Sequence, residues 1–382
     1  MPRTAPLLLL SLCFTAAAVA QNAAPVTEQA PRPTVTIAQP ASALADDDVA
    51  RWLAGLPSGG SLRSFNFAPA WREHAGAVDK SWAQSERERI AKVRAWAPAA
   101  LGEISTGHSP VFYFFSGADF LYPHALFPNA RTYVMCAREP VGSQPDPARI
   151  APEELPGALA TFRNALGTLL DFSYSITTDL RRDVDQRHIP GILPVLELIL
   201  AREGHRVIEV LPVRCDGNGA ISTSGKAKGG SPGVRIRFKR AEHPEQTLYY
   251  FYGDISNGGL KSSGGILRFC ESLGRGRSLL KAASFLPHEG GFTRINEWML
   301  ANSFAIVQDP SGIPYNTLAR SGWRVRFWGR NALPIELFQK YYESDLQAAV
   351  DAATPMRIPF GFGYQHEASK ALLILAERAG GQ

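Results

Sequence analysis

The chain runs to 382 residues, 45% of them hydrophobic, which is enough for a sizeable core in one large domain or two ordinary ones. Lys and Arg number 40 against 35 Asp and Glu, and a net charge of +5 on this size favours solubility while saying little about partners. Beyond the first residues no stretch of about 18 uninterrupted apolar residues occurs, so no stable membrane insertion is expected of the mature chain.

The N-terminus reads as an export leader. Arg3 precedes the apolar run from Leu7 to Val19, and Ala18-Val19-Ala20 before Gln21 fits the small-residue rule for signal cleavage. Residues 1–20 are therefore expected to be removed, with cleavage near Ala20, leaving a periplasmic or secreted protein. Leu12 stands before Cys13, where a lipoprotein signal needs a small residue. Export counts against nucleic acid as a partner. Residues 21–45 are rich in Ala, Pro, Gln and Thr, lack hydrophobic periodicity and contain Pro25, Pro31, Pro33 and Pro40, the composition of a disordered linker. Residues 46–382 are expected to form a single α/β domain.

Order is predicted to begin at Asp46-Asp47-Asp48, acids suited to a helix N-terminus, with a second helix over residues 81–96. Residues 111–115 are an unbroken apolar and aromatic run. Ser116-Gly117-Ala118-Asp119 breaks it, and residues 132–136 resume it before Glu139 and Pro140, which predicts strand, turn, short helix, strand. Asp119 and Glu139 then stand at or just past the carboxyl ends of two neighbouring strands, where open α/β sheets place their ligands.

Helices are predicted next over residues 152–170 and 190–203, with a polar segment at 177–186 between them, then a strand over 206–213. The Gly, Ser and Lys-rich loop 222–231 lacks GxxxxGK[ST] and leads into a strand, so it is no phosphate loop. Residues 235–240 alternate basic and apolar in the manner of a half-buried strand with a solvated face. Residues 234–238 and 247–254 suggest an antiparallel pair. Helices are predicted at 266–273, 292–302 and 335–352, a strand or sheet edge at 278–284, and strands at 304–307 and 323–328. This alternation predicts a mixed, Rossmann-like α/β sheet with helices on both faces and the antiparallel pair as an insertion or an edge.

Three acids recur at strand ends: Asp119 after SGA, Asp254 after YFYG and Asp309 after AIVQ. Neighbouring strands would bring them to one rim, in the company of Lys281, Tyr315 and His288. Such a rim can bind a polar ligand, hold a metal or share proton transfer, although an Asp after a strand also serves as a plain turn or cap residue. The ligand-binding candidates are Asp119, Glu139, Asp254, Asp309 and Tyr315; the candidates for catalysis are Asp119, Asp254, Asp309 and Lys281. His124 lies close enough in sequence to pair with Asp119. Lys281 and Ser284 carry the SxxK spacing in reverse and would share a face if helical. Zinc-helix and nucleophile-elbow motifs are incomplete: Phe292 and Lys370 stand where His288-Glu289 and His366-Glu367 need a second ligand, and Gly107-His108-Ser109 precedes a strand. With Cys13 lost, Cys136, Cys215 and Cys270 remain; Cys136 falls in a buried strand, so Cys215 and Cys270 are the candidate disulfide.

The SGAD turn followed by Glu139 resembles the first half of a Rossmann-like methyltransferase, whose adenosylmethionine site uses a glycine turn and an acid after the second strand. The resemblance covers about thirty residues and implies the fold and a ligand site around Gly117 and Glu139. It departs from the family pattern in having Gly117 as the sole glycine of the turn and Glu139 past Cys136-Ala137-Arg138 instead of at the strand tip, and an exported chain would not meet that cofactor in most settings. SGADFLY, EPVG, KAASF and QDPSGIPY also resemble segments of uncharacterised exported bacterial proteins, a resemblance that implies no site residue. The leading expectation is an exported protein that binds a polar small molecule or a cell-envelope component at the acidic rim without catalysis. The alternative is an exported hydrolase, metal-assisted, that uses the same acids; the residues leave any cofactor open.

Overall fold

The computed structural model describes residues 44–172, 187–223 and 229–378, all within one compact unit. The leader, all but the end of the linker and the polar segment 177–186 lie outside the described residues. One sheet contains β1 (Val111–Phe114), β2 (Thr132–Ala137), β3 (Arg206–Cys215), β4 (Ile221–Ser222), β5 (Ser231–Lys239), β6 (Gln246–Tyr252), β7 (Gly276–Leu280), β8 (Ser303–Gln308), β9 (Trp323–Gly329) and β10 (Leu372–Arg378). Their order across the sheet is β4-β3-β5-β6-β2-β1-β7-β8-β10-β9.

The middle of this sheet is parallel: β6, β2, β1, β7 and β8 are paired in one direction. In order of appearance along the chain these five stand 3-2-1-4-5, the doubly wound order, whose winding reverses beside the first strand. The flanks are antiparallel. β5 and β3 extend the sheet past β6, and β10 runs reversed between β8 and β9. The expected antiparallel pair is thus β5 with β6, but β6 also belongs to the parallel core. The stretch expected as a strand or edge at 278–284 supplies β7, which lies beside β1 at the centre, and then a loop.

The centre of the sheet is buried on both faces, which is why β1 and β2 read as continuous apolar runs. Side chains of β1 alternate between two cores. Val111 and Tyr113 join the core shared with helices Asp46–Leu53, Ala91–Leu101, Leu155–Phe172 and Leu193–Arg202. Phe112 and Phe114 join the core shared with helices Gly265–Ser272 and Thr293–Asn302.

Three expectations are corrected. The helix expected over 335–352 is two pieces, a 3-10 turn Glu336–Tyr341 and a helix Ser344–Ala353. Tertiary contacts override propensity there: Phe338 and Tyr341 pack on Phe285, and the extended Glu343 turns its carboxylate to accept from the amide of Tyr315 at 2.9 Å. The helix expected over 81–96 is the middle of a longer run, Pro69–Ser85 joined through a π turn to Ala91–Leu101. Cys215 and Cys270 are buried free thiols and form no disulfide.

Candidate functional site

The carboxyl ends of the parallel strands open into a cavity of about 430 Å³, a volume typical of small-molecule sites. It sits where the doubly wound order reverses, lined by the turn after β1, the segment after β2, the turn after β6 and the loop after β7. Asp119, Glu139, Asp254 and Lys281 all line it, together with Arg138. The structure thus brings four of the sequence candidates together. Asp309 and Tyr315 do not line this cavity, and both are corrected below.

The β1 turn begins at Phe115 with φ 63° and continues through Gly117 at φ 51°. Those left-handed residues reverse the chain sharply, so that Asp119 returns to the strand tip. Asp119 is 3% exposed and fully engaged. Its Oδ2 accepts from Lys281 Nζ at 2.8 Å and from the Tyr113 hydroxyl at 3.1 Å, and its Oδ1 accepts from the amide of Tyr122 at 3.3 Å. The Lys281 ammonium also lies 4.2 Å from the centre of the Tyr122 ring, a cation–π contact. Burial, then the Asp119 charge, pushes the Tyr113 hydroxyl well above its ordinary range, so it stays a donor. This is an ion pair with both partners held, in which removing either would leave a buried charge uncompensated.

The opposite side of the cavity is organised differently. Glu139, 1% exposed, enters just after β2, and its backbone carbonyl accepts from the buried Tyr250 hydroxyl at 2.8 Å, which fixes the segment against β6. Asp254 follows β6 and is half-buried. Burial raises its carboxyl, but hydrogen bonds from Ser256 and the charge of Arg138 outweigh burial and hold it below its ordinary value. Phe115 and Phe292 pack at 5.7 Å between ring centres and supply an apolar wall.

Asp309 is 2% exposed behind the β7 loop, and it accepts from Ser311 Oγ at 2.5 Å and from the amide of Ala282 at 3.3 Å. Burial pushes its carboxyl above the ordinary range despite those donors. Its place at a strand end therefore serves the backbone. Tyr315 opens helix Tyr315–Arg320 and packs on Phe327, and His288 meets the carbonyl of Pro310 at 3.2 Å. His124 turns away from Asp119, toward Glu203 at 3.3 Å and His205 at 3.0 Å. Lys281 and Ser284 lie on a loop, so no helix face unites them. Sequence reasoning missed Tyr113 and Tyr122, the first hidden inside an aromatic strand and the second three residues past Asp119 on a six-residue helix.

No protein-family model, curated protein or solved structure matches the chain. Among the described residues no group of three or more His, Cys, Asp or Glu side chains stands close enough to hold a metal, and no helix is long and apolar enough to cross a membrane.

Proposed function

We propose that the protein is exported through a leader removed near Ala20 and binds a polar small molecule of the unphosphorylated nucleoside type in the cavity at the carboxyl ends of β1, β2, β6 and β7. The observation that carries this reading is the position of Glu139. It lines the cavity just past the second parallel strand, 22 residues after Gly117, close to where doubly wound nucleotide folds place the acid that bonds a ribose hydroxyl. Asp254, ionised and at the next strand, adds an acceptor for an amino or hydroxyl group.

Phosphate is disfavoured by charge. The cavity carries three carboxylates against two cations among the described residues, and Lys281 is committed to Asp119. Hydroxyl-bearing ligands, neutral or positively charged, suit these acceptors better than a dinucleotide. The resemblance of the SGAD turn and Glu139 to methyltransferases makes adenosylmethionine one probe of this class, and adenosine another. Export supports a binder more than a methyl-transfer enzyme, and a cell-envelope component bearing the same chemistry fits the same acceptors.

Melting curves of the chain from Gln21 test this. Adenosine, adenosylmethionine or a neutral sugar is expected to raise the midpoint by mass action, whereas ADP at the same concentration does not. A shift with ADP larger than with adenosine, or a flat response to all four, would contradict the reading.

A further inference from the structure

The loop leaving β7 forms a wall of the cavity through Lys281, Ala282, Ala283 and Ser284, and it is held in an unusual shape. Ala282, Ser284 and Phe285 have φ of 52°, 53° and 54°, a left-handed conformation that residues with a Cβ keep only where their surroundings impose it. Three successive amides of this loop donate to three different side chains. Ala282 N bonds Asp309 Oδ1 at 3.3 Å, Ala283 N bonds Ser311 Oγ at 2.8 Å, and Ser284 N bonds the Tyr364 hydroxyl at 3.0 Å. That hydroxyl in turn donates to the carbonyl of Ala282 at 3.0 Å and stands 3.1 Å from Ser284 Oγ.

Tyr364 belongs to a C-terminal segment that ties the helix after the β1 turn to the loop after β7. The carbonyl of Gly361 accepts from the Tyr122 hydroxyl at 3.1 Å, and the Tyr122 ring carries the Lys281 ammonium. Gly363, at φ 64°, lies so close to the Asp309 carboxylate that a Cβ would collide with it. Residues 361–364 therefore bind the β1 side through Tyr122 and the β7 side through Asp309 and Tyr364.

We propose that Tyr364 is a positioning residue: with Asp309 and Ser311 it holds the 281–285 loop in the strained form that shapes the cavity wall. That this wall sets ligand affinity rests on the reading of the cavity as a binding site. The clamp itself is tested without a ligand. Tyr364→Phe removes the hydroxyl and keeps the ring, and Ser311→Ala removes the buried end of the same clamp. In both, hydrogen exchange at the amides of residues 282–284 is expected to rise at least tenfold while β1 and β2 stay as in the wild type. Lys281, 2% exposed, is expected to become several-fold more reactive toward acetic anhydride.

Strain supplies a rescue. Glycine adopts positive φ as readily as negative, so adding Ser284→Gly to Tyr364→Phe should return Lys281 toward wild-type reactivity, and a tyrosine that only fills space would give no such recovery. Unchanged exchange at 282–284 in both single variants, or a double variant no slower to react than Tyr364→Phe, overturns the proposal. Adenosine binding at least fivefold weaker to Tyr364→Phe would extend the clamp to affinity. If adenosine fails to bind the wild type, the binding reading falls while exchange and acetylation still decide the clamp.

Discussion

The two sides of the cavity hold the same kind of residue in different surroundings. On the β1 and β7 side, Asp119 accepts from Lys281, Tyr113 and Tyr122, and behind the β7 loop, outside the cavity, Asp309 accepts from Ser311 and Ala282, so both carboxylates are engaged inside the protein. On the β2 and β6 side, Glu139 and Asp254 line the cavity, and Asp254 is kept ionised by Ser256 and Arg138. A carboxylate at a strand end is thus a poor guide to function by itself. Asp119 shows that such a carboxylate can be given over wholly to the protein's own donors.

The strongest way to break this contrast is to remove a scaffold acid. Asp119→Asn leaves the Lys281 ammonium buried without its counter-charge and should cost about 3–5 kcal/mol in urea unfolding. Acid should act on histidines buried away from the cavity. Burial holds His74 at about 4, and burial with the charge of His124 holds His205 at about 3, both below the ordinary 6.5. The unfolded chain therefore takes up these protons first. Stability is complete above about 6.5 and falls as pH drops toward 4 and 3, by about 1.4 kcal/mol per histidine per pH unit. Urea midpoints between pH 7 and 4 read this slope, and His74→Gln should make it shallower. Asp254, held low, should keep its charge through most of that range.

A smaller effect of opposite sign belongs to Glu343, which burial raises to about 7 where it caps Tyr315. Its folded state holds the proton more tightly, so its cost appears as pH rises from about 4.5 through 7. Glu343→Gln should stabilise by about 1–2 kcal/mol at pH 8 and change nothing at pH 4, as read by urea unfolding. The smallest stability effect is expected on the ligand side: Asp254→Asn, half-buried, should stay within about 0.5 kcal/mol of the wild type.

The centre of the fold was legible because parallel strands buried on both faces leave long apolar runs, and β1, its turn and β2 fall where residues 111–136 predict them. The cavity acids Asp119, Glu139 and Asp254 were legible for the related reason that doubly wound sheets place ligands at strand ends. Other features depend on partners far away in sequence. β10, Leu372–Arg378, was not among the predicted elements, and its reversed place between β8 and β9 is a long-range pairing. Asp309 reads like Asp119 until Ser311 and Ala282 are seen to surround it. The left-handed backbone at Phe115, Ala282 and Ser284 has no signal at all, since none of the three is glycine.

Titration calorimetry of adenosine into the wild type, Glu139→Gln and Asp254→Asn decides whether these two carboxylates bind the ligand. Stoichiometric binding to the wild type is expected, with a loss of at least tenfold in affinity for each variant and with Asp254→Asn as stable as the parent. Equal affinity in all three proteins, or no heat with any, would contradict the proposal that Glu139 and Asp254 bind the ligand.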